Sequence, residues 1–310
     1  MKILVTGATG CVGSALMPEL KGDVSVFSRH ATEGKKTKAG DITDAAAVEK
    51  AVKGMDVVYH IAGLVDYSNN RELLNSINLK GTENVLNACQ KHGVGRLIYT
   101  STVGVYGRVD SFPIDESTQA NPETEYARSK YAAECLVTGQ KGTPWTVLRP
   151  APVYGPKSKQ FAYLIRKISE GKLSMIGNGS NKNHMVNSHN LAQALVLSQK
   201  KAAENQLFVI ADEKAYTAKE IYGTIIRLLG AAPKRPVPYP LAYAFALLNE
   251  IRGKELNRNY LRTITQHREY SIRKAKDALG YKPKVELENG MRELVEWCRE
   301  EGIIGCKSNI

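Results

Sequence analysis

Through residue 150 the chain alternates two kinds of apolar pattern. Short runs rich in β-branched and aliphatic residues occur at Lys2 to Thr6, Val24 to Ser28, Val57 to Ile61, Arg96 to Thr100 and Thr146 to Arg149, with a weaker one at Lys36 to Ala39. Several end at small residues or turns, as buried strands of a parallel sheet do. Between them, Val12 to Leu20, Ala45 to Lys53, Leu73 to His92 and Thr124 to Thr138 repeat their apolar residues at helical spacing. This alternation predicts an α/β fold, a doubly wound parallel sheet of Rossmann type with helices on both faces.

After Arg149 the regularity is lost. Pro150, Pro152 and Pro156 interrupt the chain and Gly177-Asn178-Gly179 reads as a turn, so a second lobe is expected to begin here. Leu191 to Lys200 and Gln206 to Ala211 again read as a helix and a buried strand, which predicts a return to the first sheet. From Tyr216 onward helical patterns dominate: Ala218 to Leu229, Leu241 to Arg252, Ile272 to Leu279 and Leu287 to Glu301. The expected division is residues 1–150 plus about 187–212 for the sheet domain, with about 151–186 plus 213–310 forming a smaller, mostly helical substrate lobe. Val237 to Ile251 is the longest apolar stretch; it contains Pro238, Pro240, Asn249 and Glu250 and is too short to span a bilayer. It reads as a core or substrate-pocket helix ahead of one lying on a membrane surface. No repeat of solenoid period is present.

Composition narrows the class. With 43% hydrophobic and 24% charged residues, the chain is that of a folded globular protein. A formal net charge of +12 suits nucleic acid, an anionic membrane or phosphorylated ligands. The basic residues are dispersed, however, and the densest group, Arg29 to Lys38, has no interleaved aromatic to stack a base, so no nucleic-acid partner and no stable membrane insertion are expected. Cys11, Cys89, Cys135, Cys298 and Cys306 are irregularly spaced, without a C-x-x-C or a histidine pair, which predicts reduced thiols, a cytoplasmic setting and no metal site. Met1 leads directly into an apolar run and a glycine turn, with no signal peptide expected.

Two motifs carry chemistry. Thr6-Gly7-Ala8-Thr9-Gly10-Cys11-Val12-Gly13 follows the first strand and opens the first helix. Glycines there let the backbone approach a pyrophosphate, whose charge the helix amides stabilise. The spacing is G-x-x-G-x-x-G rather than G-x-G-x-x-G. Tyr126 and Lys130 lie four apart on a predicted helix, so both side chains emerge on one face. An ammonium beside a phenol favours the phenolate, bringing a pKa of roughly 10 toward neutrality and making the tyrosine a usable acid or base. Tyrosine and lysine at this spacing are by themselves common on helix surfaces; their place in the fold gives the pair its meaning.

Together with Tyr99-Thr100-Ser101-Thr102 at a strand end, these motifs resemble the extended short-chain dehydrogenase/reductase family, within the NAD-dependent epimerase/dehydratase superfamily. Further matching pieces run in order: Gly40-Asp41-Ile42-Thr43-Asp44, His60-Ile61-Ala62-Gly63, Asn78-Leu79-Lys80-Gly81-Thr82, Val105-Tyr106-Gly107, Leu148-Arg149-Pro150 and Val153-Tyr154-Gly155-Pro156. The resemblance implies a catalytic set of Thr102, Tyr126 and Lys130, with Tyr126 as acid/base, Lys130 on the nicotinamide ribose and Thr102 orienting the substrate oxygen. Ser101 is the competing hydroxyl, and neighbours at a strand end point to opposite sides. The implied cofactor contacts are Gly7, Thr9, Gly10, Cys11, Val12 and Gly13 in the glycine turn, Asp41 and Ile42 near the adenine, and Ala62 and Gly63 along the cofactor. Tyr126, Lys130, Pro150 and Val153 would lie near the nicotinamide. A homodimer through the two long helices of the first domain is a further family expectation.

The second strand ends Val26-Phe27-Ser28-Arg29, where NAD-specific domains usually carry Asp or Glu for the ribose 2′-hydroxyl. Arg29, helped by Lys35 or Lys36, suits a 2′-phosphate, so NADP is expected, with NAD possible. The family's acidic residue before a later helix is missing from Val186-Asn187-Ser188-His189-Asn190. His184 and His189 are read as structural, with no acidic neighbour in sequence. Lys274-Ala275, Leu279-Gly280-Tyr281-Lys282-Pro283, Gly290, Trp297 and the apolar Tyr239 to Leu248 region are similar to the 3β-hydroxysteroid dehydrogenase and dihydroflavonol reductase branch. That likeness implies hydride transfer between nicotinamide and a secondary alcohol or ketone on a steroid- or flavonoid-like small molecule. A sugar-nucleotide epimerase or dehydratase using the same Thr-Tyr-Lys site is the alternative, and a catalytically idle nucleotide sensor or RNA-binding scaffold the third reading, disfavoured by the intact Tyr126 and Lys130.

Overall fold

The computed structural model describes residues 1–30, 34–65, 70–251 and 258–305. In chain order come β1 (Lys2–Thr6), α1 (Cys11–Leu16), β2 (Asp23–Ser28), β3 (Lys36–Ala39), α2 (Ala45–Val52), β4 (Val57–His60), α3 (Arg71–Leu74), α4 (Gly81–Lys91), β5 (Arg96–Thr100), α5 (Glu125–Gly139) and β6 (Trp145–Pro150). The chain then forms β7 (Val153–Tyr154), α6 (Lys159–Ser169), β8 (Lys182–Asn183), β9 (Val186–Asn187) and α7 (Ser188–Leu197) before β10 (Gln206–Ile210). The seven-stranded sheet has the order β10-β6-β5-β4-β1-β2-β3, and each pairing in it is parallel. This is the expected Rossmann topology, and the order reverses between β1 and β4, where open α/β sheets bind ligands.

Period-two alternation sorts the strand residues between two cores. Ile3, Val5, Tyr59, Ile98, Leu148 and Phe208 face α1 and α7 on one side. Leu4, Val58, Leu97, Tyr99 and Val147 face α2, α4 and α5 on the other. Central strands β4 and β5 are buried along their whole length, while edge strand β3 keeps its lysines at the margin. Lys36 pairs with Asp23 at 2.6 Å and Lys38 donates to the Ala51 carbonyl at 2.7 Å near the end of α2, so the unpaired strand edge is lined by charge.

The remaining elements are β11 (Tyr216–Thr217), α8 (Ala218–Leu229), α9 (Tyr239–Ile251), α10 (Arg258–Thr265), α11 (Arg273–Leu279) and α12 (Leu287–Glu300). A separate core joins α6, α8 and α12 through Phe161, Ile165, Ile225, Met291, Leu294 and Val295. Thr217 and Glu220 start α8 with a reciprocal capping box, and Gly230 ends it in the left-handed conformation. Tyr270, Ile272, Ala275, Leu279 and Tyr281 pack with the sheet instead, so the expected assignment of 213–310 wholly to the second lobe is amended for this segment.

Other boundaries differ for local reasons. Leu73 to His92 reads as one helix, but Asn75–Lys80 between α3 and α4 is π-helical. Helix α6 was not expected, because Pro150 to Pro156 draw attention to irregular chain; its Phe161, Ile165 and Ile168 recur at helical spacing and are buried. Helix α10 was also missed. On α9 only one side is covered, Leu241, Phe245 and Leu248 being more than half exposed, which corrects the reading of a core helix. Arg252 and Cys306, named from the sequence, lie outside the described residues.

Candidate active site

The glycine turn is built by close backbone approach. Gly7 has φ of +76°, and a Cβ there would lie 2.7 Å from the Ala62 nitrogen. At Gly13 a Cβ would fall 2.2 Å from the Gly7 carbonyl oxygen, so Gly7 lets the turn meet the segment after β4 and Gly13 lets α1 pack on the turn. Gly10 differs: its nearest would-be contact is the Gly7 oxygen at 3.6 Å. It is the N-cap of α1, without a side-chain cap, and is exposed beside exposed Thr9 and half-buried Cys11 and Val12. Backbone amides at a helix start, with open space at the cap, fit the pyrophosphate of a dinucleotide.

A hydrogen-bonded chain underlies this turn. Thr82 Oγ1 donates to the Asn78 carbonyl at 2.5 Å, and therefore accepts from His60 Nε2–H at 3.0 Å. His60 Nδ1 then accepts from Thr6 Oγ1–H at 2.9 Å, and Thr6 Oγ1 accepts the Ala62 amide at 3.1 Å. The order of donors fixes the neutral Nε2–H tautomer. Burial first, and the Lys130 charge second, press the His60 pKa down to about 3. Asn78, on the π-helical turn, holds the Leu64 backbone through both its amide groups and donates to Ser129 Oγ at 3.0 Å. The loop after β4 is thereby tied to α5.

Helix α5 begins under the Thr124 cap and carries Tyr126 and Lys130. Lys130 is 4% exposed and its Nζ sits 4.3 Å from the centroid of the Tyr99 ring. Burial pulls its pKa down to about 7, partly offset by the charge of Glu134 one turn on. Glu134 is itself gripped by Arg149 of β6 through two buried hydrogen bonds, at 3.0 Å from Nε and 2.5 Å from Nη2. Arg149 in turn lies over Tyr106, 4.8 Å from its centroid. Tyr126 is half-buried. Thr102 is half-buried just past β5, and its Oγ1 accepts the Gly104 amide at 3.0 Å, which leaves its O–H to donate elsewhere. Ser101 is 3% exposed.

Some of the expected cofactor residues lie close to one another. The position a Cβ would take at Gly63 is 3.6 Å from Lys130 Nζ, and the Gly104 site lies within 3.8 Å of both Thr102 and Ala127, the residue after Tyr126. Cys11 Sγ reaches the Gly155 carbonyl at 3.9 Å, bringing the turn after Val153 against α1; Pro150 is buried at the end of β6. Ile42 packs under Gly81, where a Cβ would be 2.9 Å away. Asp41 accepts from the Thr43 amide and hydroxyl at 2.9 and 2.7 Å, which lowers its pKa, with Arg29 adding a smaller pull. Arg29 is exposed at the end of β2. Of its expected helpers, Lys36 is held by Asp23.

The profile of the NAD dependent epimerase/dehydratase family matches residues 3–211. The chain belongs to this family. It is 30% identical to a 2-alkyl-3-oxoalkanoate reductase of Stenotrophomonas maltophilia (strain K279a), covering 95% of this chain and 98% of that protein. It is 32% identical to short-chain dehydrogenase/reductase family 42E member 1 of Danio rerio, over 96% of this chain and 88% of the relative. Among solved structures, a UDP-glucose 4-epimerase of Thermotoga maritima with UDP-glucose superposes with a TM-score of 0.81 at 24% identity, covering 97% and 99% of the two chains, a likeness of fold. The chain is thus an enzyme of the extended short-chain dehydrogenase/reductase group.

Other residues of the site carry no role that the sequence alone assigns. Asn78 and His60 sit inside matched motifs, and Glu134 follows Lys130 by one helical turn, yet their partners are far away in sequence. The missing acidic residue before α7 has a counterpart in Asp212, just past β10. Its Oδ1 accepts from the Asn187 amide at 2.9 Å and Asn190 Nδ2 at 2.7 Å, and its Oδ2 from Tyr154 at 2.9 Å. Burial lifts its pKa to about 6. His184 is structural, as expected, donating from Nε2 to the Asp212 carbonyl and accepting the Tyr270 amide at Nδ1. His189 does have an acidic partner, Glu293 of α12 at 2.9 Å.

Proposed function

We propose that the protein transfers a hydride between NADP and a secondary alcohol or ketone on a lipophilic, steroid- or flavonoid-like small molecule. The observation that carries this reading is the buried Lys130, with a pKa near neutrality, on the same helix face as Tyr126 and beside the Gly63 loop. Gly10, Cys11 and Val12 would hold the pyrophosphate, Arg29 the 2′-phosphate, and Gly63, Pro150 and Val153 would border the nicotinamide. When bound, the nicotinamide supplies or accepts the hydride.

The chain's own residues do the remainder. Thr102 donates its O–H to the substrate oxygen, with its own acceptor position held by the Gly104 amide. Tyr126 passes its phenolic proton to that oxygen during reduction and recovers it from the alcohol in the reverse direction. Lys130 favours the phenolate, and the charge of Glu134, itself held by Arg149, partly offsets the burial of the lysine. Substrate oxygen and proton donors thus converge where negative charge develops. The full-length likeness to a 2-alkyl-3-oxoalkanoate reductase supports net ketone reduction. The test is to follow absorbance of NADPH with ketosteroids, 3-oxoalkanoates and flavonoid ketones. The reading expects oxidation by at least one class and its loss in Tyr126→Phe. Turnover of a UDP-sugar without net cofactor change would replace it with an epimerase.

A further inference from the structure

Helix α9 presents Leu241, Phe245 and Leu248 to solvent at 63%, 57% and 53% exposure, on one stripe at spacings of four and three residues. Tyr239 and Leu247 flank the stripe at 41% and 40%, and Ile264 of α10 adds another exposed apolar side chain at 38%. The other side of the helix is already seated: Ala242 and Ala246 pack with Leu261, against Ile176, Val237 and Tyr243. The stripe is therefore not the helix's core face. A contiguous exposed apolar patch of this kind marks an interaction surface.

Charge identifies the partner. No charged residue occurs from Tyr239 to Asn249, whereas the described residues before and after it include Lys234, Arg235, Arg258 and Arg262. Lys234 and Arg235 are exposed just before α9, and Arg262 is exposed on α10. An apolar helix face with cations at its margins is the pattern of a helix lying at the boundary of an anionic bilayer. Two copies docking through this face would bring the same basic margins together, which is unfavourable. Nor does the helix cross: at about 20 Å it is shorter than a hydrocarbon core of roughly 30 Å. Among the described residues no helix is long and apolar enough to span a membrane.

We propose that the exposed stripe of α9, with the basic residues around it, docks the protein on an anionic lipid surface with the helix in the plane of the interface. The inference is independent of the reaction proposed above. It is tested by floating the full chain with vesicles of phosphatidylcholine alone or mixed with phosphatidylglycerol, beside the variant Phe245→Asp/Leu248→Asp and the milder Leu241→Gln. The expected result is binding to the mixed vesicles, weakened by salt, and reduced by about tenfold or more in the double variant, with Leu241→Gln between. Both variants should melt with the parent protein, the altered side chains being exposed. Absence of binding to mixed vesicles, equal binding by the folded variants, or a solution mass that falls in the variants and so assigns the stripe to a second copy, overturns the proposal.

Discussion

Replacing Lys130 with methionine should make the protein more stable at neutral and acidic pH while removing its activity. The lysine pKa falls from 10.5 to about 7 in the folded chain because the ammonium is buried at 4% exposure. At 1.36 kcal/mol per pKa unit, keeping the charge inside costs the fold at most about 5 kcal/mol below pH 7. Methionine keeps the apolar stem but loses the contact with the Tyr99 ring, worth about 2 kcal/mol, so a net gain of about 3 kcal/mol is expected. The sign follows from the direction of the shift. A depressed lysine pKa gives stability that is present above about 10.5, in the unfolded chain's range, and lost as pH falls through the folded value of about 7. Urea unfolding of the cofactor-free protein should therefore show stability rising with pH from about 7 to 10, an increment absent in Lys130→Met. Activity near neutrality should fall by about 100-fold or more. A variant less stable than the parent at pH 6, or the same pH increment in both proteins, would refute the reasoning.

The two kinds of glycine in the first turn should separate. Gly13→Ala must displace the Gly7 carbonyl and should cost about 3 kcal/mol in urea unfolding, whereas Gly10→Ala should change stability by less than about 0.5 kcal/mol yet weaken dinucleotide binding in a fluorescence titration. Arg29→Asp should raise the Kd for NADPH by about 10- to 100-fold, as expected for one lost charge-assisted phosphate bond, and improve NADH relative to it; unchanged preference would remove Arg29 from the site. Asp212, with its pKa raised to about 6, gives stability fully present below about 3.8 and lost as pH rises through about 6. Asp212→Asn should lack that loss of about 3 kcal/mol when the two proteins' urea midpoints are compared across this range.

Most of the sheet was legible because its strands are buried on both faces and bounded by turns, so the apolar runs and the elements coincide to within a residue or two. The glycine turn and the Tyr126–Lys130 pair were legible because each is local, held within eight residues of chain. What escaped depends on distant partners. The tautomer of His60 is set by Thr6 and Thr82, the charge beside Lys130 is balanced by Arg149 from another strand, and the carboxylate at α7 comes from Asp212. The π-helical turn at Asn78 was hidden for another reason, since its apolar spacing resembles an ordinary helix. Helix α9 shows the limit of periodicity: an almost uniformly apolar segment does not disclose which face is covered.

The central claim is that Tyr126 and Lys130 support net hydride transfer rather than return of the hydride to its donor. It is tested most directly with NADPH carrying deuterium at C4 and an accepting ketone, the product being analysed by mass spectrometry and NMR. The account predicts one deuterium at the new carbinol carbon for each NADP formed, absent with Tyr126→Phe. Conversion of substrate without deuterium in the product, or incorporation undiminished in that variant, would contradict it.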